Sequence, residues 1–157
     1  MKTIVVAFLI CQSFSVWATE CPVTIGIDGP YVEGWPNAKT WYGSEKIAVI
    51  LPADGIWPTT KPGNLTSVKL FWYLEGFKPG LENEFEFSIQ RIDEGPNDAV
   101  APRVTNAGGP NLGAWTALVG IDFPNEGCWE IAGSFRGNTL TFVVKTEISA
   151  YGRGNAA

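Results

Sequence analysis

The sequence predicts an all-β domain, most simply an antiparallel β-sandwich of about seven strands with Greek-key connections. Short runs rich in β-branched and aromatic residues alternate with clusters of Gly, Pro and Asn, and 18 Gly and 11 Pro supply the breaks between them. No long stretch shows the 3.6-residue apolar period of an amphipathic helix. A small β-barrel would give the same pattern and is the alternative architecture.

Seven segments have the composition of strands. Glu84–Ile92 is the clearest, because Phe85, Phe87 and Ile89 alternate with polar residues as in a half-buried antiparallel strand. Ser67–Leu74 is more continuously apolar, which favours a central position. The full set is Val23–Ile27, Lys46–Leu51, Ser67–Leu74, Glu84–Ile92, Trp115–Ile121, Cys128–Ser134 and Thr139–Ile148.

The connections between these segments carry their own signals. Phe135-Arg136-Gly137-Asn138 joins the last two candidate strands and predicts a short hairpin loop. Asp93 to Gly113 is the longest stretch without a strand pattern. Loops of that length in compact domains are often functional or mobile.

The first 18 residues predict a secretory signal peptide. Lys2 gives a minimal positive start, residues 3–11 are almost wholly apolar, and Ala18 is the small residue favoured before a cleavage site. The apolar run is too short to cross a bilayer, and no later stretch is long or apolar enough to do so. We therefore expect a signal peptide at 1–18, a β-sandwich domain at 19–151 and a frayed tail at 152–157, with an extracytoplasmic location, either periplasmic or secreted.

The cysteines agree with export. Cleavage after Ala18 would remove Cys11 and leave Cys21 and Cys128. Two cysteines in an oxidising compartment predict one disulfide, which would join the start of the domain to a strand near its end. No C-x-x-C motif points to a redox site.

The composition excludes several function classes. The chain has no histidine, so Ser-His-Asp catalysis and His-ligated metals are absent. A net charge of −5 argues against nucleic acid as a partner. No G-x-S-x-G motif or phosphate-binding loop occurs. We expect no catalytic residues, no resident metal and no cofactor.

Carboxylates provide the only candidates for chemistry. Glu82, Glu84, Asp93 and Glu94 would suit a glycan hydrolase only if two of them faced each other across a cleft at about 5–9.5 Å. Glu82, Glu84 and Glu86 are expected on one exposed strand face, which favours a solvated polar surface instead. Oxygen ligands for calcium are a weaker possibility in the loop that contains Asp93, Glu94, Asn97 and Asp98.

Aromatic residues provide the candidates for binding. Trp72 and Trp129 lie within candidate strands and are expected in the core. Four others lie in Gly/Pro-rich segments of the first half of the chain, where exposed rings could stack on sugars or anchor a protein, or could instead close the ends of the sandwich. These candidate ligand-binding residues are Trp35, Trp41, Tyr42 and Trp57.

The end of the chain resembles a known signature. Phe123-Pro124-Asn125-Glu126-Gly127-Cys128-Trp129-Glu130-Ile131-Ala132-Gly133, followed by Leu140-Thr141-Phe142-Val143-Val144, is similar to the F-P-x-x-G-C-W-E-[IV]-x-G … L-T-F-V-V ending of a family of small uncharacterised secreted proteins, mostly bacterial. The segments Trp41-Tyr42-Gly43 and 51–57 are also similar to that family's, whereas 82–113 departs from it. The resemblance implies secretion and an immunoglobulin-like β fold, and it carries no catalytic residues.

Together these observations predict a non-catalytic extracytoplasmic module that binds a protein or a cell-envelope glycan. A carbohydrate-binding module is the alternative, and a carboxylate-dependent glycan hydrolase is the third reading.

Overall fold

A computed structural model describes residues 20–27, 40–59, 66–101, 103–109 and 114–148. The predicted signal peptide at 1–18, the tail at 152–157 and Trp35 lie outside these residues. None of the described segments forms a helix long and apolar enough to cross a membrane.

The described residues form two β-sheets packed as a sandwich, which confirms the predicted fold class; the sheets do not close into a barrel. Sheet A has the order β1-β2-β4-β7-β6, and sheet B has the order β3-β9-β8-β5. All neighbours are antiparallel except β3 and β9, which are parallel. The strands are β1 (Trp41–Gly43), β2 (Ile47–Ile50), β3 (Ile56–Thr59), β4 (Thr66–Leu74), β5 (Phe85–Arg91), β6 (Val104–Gly109), β7 (Ala114–Phe123), β8 (Gly127–Phe135) and β9 (Asn138–Ile148).

Six of the seven predicted segments are strands, with ends within two residues of the prediction. The strand predicted at Val23–Ile27 is wrong, because that segment makes only an isolated bridge from Ile27 to Trp41 and backbone bonds from Thr24. Three short strands were not predicted, namely β1, β3 and β6. The last of these lies inside the stretch 93–113 that was expected to be a loop.

The core lies between the inner faces of the two sheets and is centred on Trp72. The Trp72 side chain is fully buried, and its ring centroid lies 5.1 Å from that of Phe85 and 5.5 Å from that of Phe142. Gly133 of β8 makes room for it, since a Cβ there would lie 2.7 Å from the indole ring. Trp129 is also fully buried and donates a hydrogen bond from Nε1 to Thr146 Oγ1 at 2.9 Å. Both tryptophans are therefore core residues, as predicted.

The predicted disulfide between Cys21 and Cys128 is present, with Cα atoms 5.6 Å apart. It holds residues 20–24 against sheet B. There Thr24 donates its N–H to Val143 O at 2.8 Å and accepts the Val143 N–H on Oγ1 at 2.9 Å. The start of the described chain thus lies along β9.

The predicted hairpin between β8 and β9 is confirmed. Phe135 pairs with Asn138, which leaves Arg136 and Gly137 as a two-residue turn. Both have positive φ, 49° and 79°, as a twisted two-residue hairpin requires.

Candidate interaction surface

The aromatic side chains proposed as ligand contacts do not lie on exposed loops. Trp41 in β1 is fully buried, and Trp57 in β3 is only 8% exposed. Tyr42 is half-buried and packs edge-on against Phe142, with ring centroids 6.4 Å apart. The short strands that contain these residues pair with β2 and β9, and that pairing draws the rings into packed layers. Of the two alternatives for these residues, burial within the sandwich rather than exposure on loops holds for these three, while Trp35 lies outside the described residues.

The carboxylates named for hydrolysis do not form a facing pair of acid and nucleophile. Glu82 and Glu84 lie in a 3₁₀ helix, Glu82–Glu84, before β5, not on the strand face that was expected. Asp93 and Glu94 follow the other end of the strand. The seven residues of β5 separate the two groups by roughly 20 Å, far beyond a glycosidase spacing.

Two of these carboxylates, Glu82 and Asp93, have a lowered pKa, and Glu84 forms an ion pair. Hydrogen bonds from its own backbone N–H and from the Asn106 amide lower the pKa of Glu82. Burial pushes the pKa of Asp93 upward, but hydrogen bonds and the charge of Arg91 lower it further, so the net shift is downward. Glu84 pairs with Arg136 at 2.9 Å. A general acid needs a raised pKa, so neither Glu82 nor Asp93 suits that role.

The loop after β5 uses its oxygen atoms within the protein. Asn97 Oδ1 accepts the backbone N–H of Arg91 at 2.9 Å, and Asp98 Oδ2 accepts a hydrogen bond from Asn125 at 3.0 Å. Among the residues described, no group of three or more Cys, Asp or Glu side chains is arranged to hold a metal ion. The calcium site considered from the sequence therefore has no geometric support.

Arg91 fixes the path of this loop. Its guanidinium lies 5.3 Å from the centre of the Trp129 ring, and its side chain is only 9% exposed. Nε donates to Asp93 at 2.6 Å, and Nη2 donates to the carbonyl of Glu126 at 2.8 Å. A Cβ at Gly127 would lie 2.9 Å from Cζ of Arg91, so the guanidinium fills its site. The segment that leaves β5 is thus held in place at the end of sheet B.

Four of the described strands lie at the edges of the sheets, and three of these are protected by local irregularity. β1 has three residues and Gly43 at φ 129°, and Ile27 bridges to it. β3 has four residues and contains Pro58, which has no N–H. β6 contains Gly108 at φ 97°. Proline, short length and irregular backbone are the usual means of blocking pairing at an edge.

The fourth edge, β5, has none of these features. It is a regular seven-residue strand without Gly, Pro or a residue of positive φ. The Ile92 N–H donates to Cys128 O at 2.9 Å, which fixes which backbone groups face β8. Because the bonds alternate along an antiparallel ladder, the groups that face away from β8 belong to Phe85, Phe87, Ile89 and Arg91.

The two ends of this edge are bonded within the chain. Phe85 donates its N–H to Glu82 O, and Arg91 donates its N–H to Asn97 Oδ1. Within the described part of the chain, the N–H and C=O groups of Phe87 and Ile89 have no partner. Phe87 and Ile89 in the middle of the edge therefore offer two donors and two acceptors to another strand, and the carbonyls of Phe85 and Arg91 also face outward.

We define the β5 edge surface as these outward backbone groups with the exposed side chains of Glu86, Ser88 and Gln90. The side chains of Phe87 and Ile89 are half-buried on its inner side and pack against the core. One exposed apolar residue, Ile92 at 42%, directly follows the strand. The sequence showed the alternation of β5, but its edge position depends on strand order and could not be derived from that alternation.

A comparison of the chain with protein-family models, with curated proteins and with solved structures finds no match. The function must therefore be argued from the chemistry of the described surface.

Proposed function

We propose that this protein is a non-catalytic extracytoplasmic interaction module that binds another polypeptide by adding a strand to β5. The observation that carries the proposal is the free pair of backbone donors and acceptors at Phe87 and Ile89, on the one edge strand, among those described, that is regular along its whole length. Strand addition obtains its affinity from main-chain hydrogen bonds and its specificity from alternating side chains. The β5 edge surface supplies both elements.

The extracytoplasmic part of the proposal is supported by two features. Cys21 and Cys128 form a disulfide, and disulfides persist in oxidising compartments. The residues before Cys21 have the charge and apolar pattern of a cleaved signal peptide. The partner is therefore expected among polypeptides outside the cytoplasm.

Site-specific photo-crosslinking tests the proposal. A benzophenone side chain at Ser88 lies on the β5 edge, whereas one at Lys145 lies in the same sheet on β9, where Cys128 of β8 and Ile56 of β3 flank it on both sides. Ser88 is exposed and the Lys145 side chain is 43% exposed, so both can reach a partner. We expect polypeptide adducts from position 88 and few from position 145 when the oxidised protein is irradiated in its native extracytoplasmic fraction.

Proline at position 89 provides the specific block. The Ile89 N–H faces away from β8, so Ile89→Pro removes an edge donor without removing a bond to β8. We expect the adducts at position 88 to disappear in this variant while the far-UV circular dichroism spectrum is retained. Equal adduct yields from positions 88 and 145, or adducts that persist with proline in a folded protein, would overturn the proposal.

A further inference from the structure

We infer that the strand received by the β5 edge surface is β5 of a second copy of this chain, with a two-fold axis at Ser88. This inference rests on the proposed function, because it names the partner of the same surface. The result would be a dimer in which two copies of sheet B form one continuous eight-stranded sheet. Three features support this dimer: the backbone register, the side chains that would face each other, and the hydrogen bonds already made at the two ends of β5.

The backbone register favours Ser88 as the centre. In an antiparallel pair centred there, Phe87 of one copy lies opposite Ile89 of the other, and these are the residues with free outward groups. Four hydrogen bonds form, and every free donor meets a free acceptor. A register centred on Phe87 would leave the Ile89 carbonyl opposite the Phe85 N–H, which is already bonded to Glu82 O.

A register centred on Ile89 fails for the corresponding reason. It would place the Phe87 carbonyl opposite the Arg91 N–H, which donates to Asn97 Oδ1 at 2.9 Å. Of the three centres, Ser88 is therefore the one that pairs all four backbone groups of Phe87 and Ile89 with one another.

The side chains are compatible with the same register. On the exposed face, Glu86 of one copy lies opposite Gln90 of the other, and Ser88 lies opposite itself. The carboxylate of Glu86 would face the amide of Gln90, and no like charges would face each other, so the strand is complementary to a second copy of itself. On the inner face, half-buried Phe87 lies opposite half-buried Ile89, and pairing would complete the burial of both.

Cysteine crosslinking tests the position of the axis. Ser88 would form a non-hydrogen-bonded pair with itself, with Cα atoms about 4.5 Å apart, a separation within the disulfide range. Gln90 would lie about 13 Å from Gln90 of the second copy, too far for a disulfide. We expect Ser88→Cys to form a covalent dimer under mild oxidation and Gln90→Cys, the exposed control on the same strand, to stay monomeric.

A charge series tests the pairing without covalent trapping. Gln90→Lys would place a cation opposite Glu86 of the second copy, and Gln90→Glu would place a like charge there. Each dimer contains two such pairs, so we expect dissociation constants to change about 2- to 30-fold, tighter for lysine and weaker for glutamate. Sedimentation equilibrium measures both dissociation constants. The melting temperature of each variant shows whether the new side chain has altered the fold through Glu130, the intrachain neighbour of Gln90.

The outcomes separate this inference from the proposed function. A protein that stays monomeric at several hundred micromolar, with equal crosslinking at positions 88 and 90, overturns the dimer. If position 88 then still gives proline-sensitive adducts with a different polypeptide, the proposed function stands without it. If those adducts are also absent, both fail. A covalent dimer of Ser88→Cys, together with a lower dissociation constant for Gln90→Lys and a higher one for Gln90→Glu, supports both.

Discussion

Arg91 and Arg136 show how burial and the number of partners decide what a charged residue contributes to stability. Both pair with a carboxylate and both lie near an aromatic ring. The Arg91 side chain is 9% exposed and joins Asp93, Trp129 and the Glu126 carbonyl, whereas the Arg136 side chain is 49% exposed at the tip of a hairpin. A buried side chain with several hydrogen-bond partners stabilises a fold more than an exposed ion pair does.

We therefore expect Arg91→Ala to lower the free energy of unfolding by about 1–3 kcal/mol, since it leaves a stacked indole and a carbonyl without their partner. Arg136→Ala, the control, should cost about 1 kcal/mol or less. Urea denaturation at pH 7 measures both. Equal losses in the two variants would contradict the role given to Arg91.

Asp93 gives this contact a pH dependence. The pKa of Asp93 is lowered in the folded protein, so its ionised form stabilises the fold above the unfolded-state pKa of about 3.9. That contribution is lost as the pH falls through the lower folded-state value. We expect wild-type stability to fall below about pH 4 more steeply than that of Asp93→Asn, as measured by urea midpoints between pH 7 and pH 2.5. Parallel curves for the two proteins would exclude Asp93 as a contributor.

At the scale of the elements, two glycines in regular strands have opposite surroundings. A Cβ at Gly133 in β8 would lie 2.7 Å from Trp72 and 2.8 Å from Phe85, whereas one at Gly120 in β7 would meet nothing within 4 Å. Neither residue has a positive φ. The difference between them is therefore a difference in packing.

We expect Gly133→Ala to destabilise the protein by about 1–3 kcal/mol, because the central indole must move. Gly120→Ala should be neutral or stabilising by up to about 1 kcal/mol, because it restricts the unfolded chain. Thermal unfolding of the two variants tests this pair. A Gly133→Ala protein as stable as Gly120→Ala would show that the core around Trp72 is loosely packed.

The elements also show where sequence reasoning works. Strands with clear alternation, such as β5 and β8, were predicted because their own side chains specify a buried face. The sequence does not predict β1, β3 and β6, because each contains residues that are typical of loops, namely Gly43, Pro58 and the pair Gly108-Gly109. Pairing with neighbouring strands imposes the extended conformation on these segments. The same pairing decides between the two alternatives for Trp41 and Trp57, because strands β1 and β3 carry both rings into the sandwich. The β5 edge is a property of strand order and could not be read from one segment.

At the scale of the molecule, one covalent bond joins positions 107 residues apart, Cys21 and Cys128. Closing a loop of that length removes much of the freedom of the unfolded chain. We expect the double substitution of both cysteines by alanine to lower the free energy of unfolding by about 2–5 kcal/mol. Urea denaturation with and without a reductant checks this, since the double variant must not respond to the reductant. A loss below 1 kcal/mol would contradict the prediction.

The parallel pairing of β3 with β9 has a consequence for how the chain acquires its structure. Trp57 pairs with Thr146, and Thr24 bonds to Val143 across 119 positions. Contacts of such high contact order form late, because both partners must have been synthesised first. Sheet B lacks one of its two inner strands until β9 has been made, whereas every strand of sheet A precedes β8 along the chain. The sandwich therefore closes last along the side where β3 and residues 20–24 meet β9.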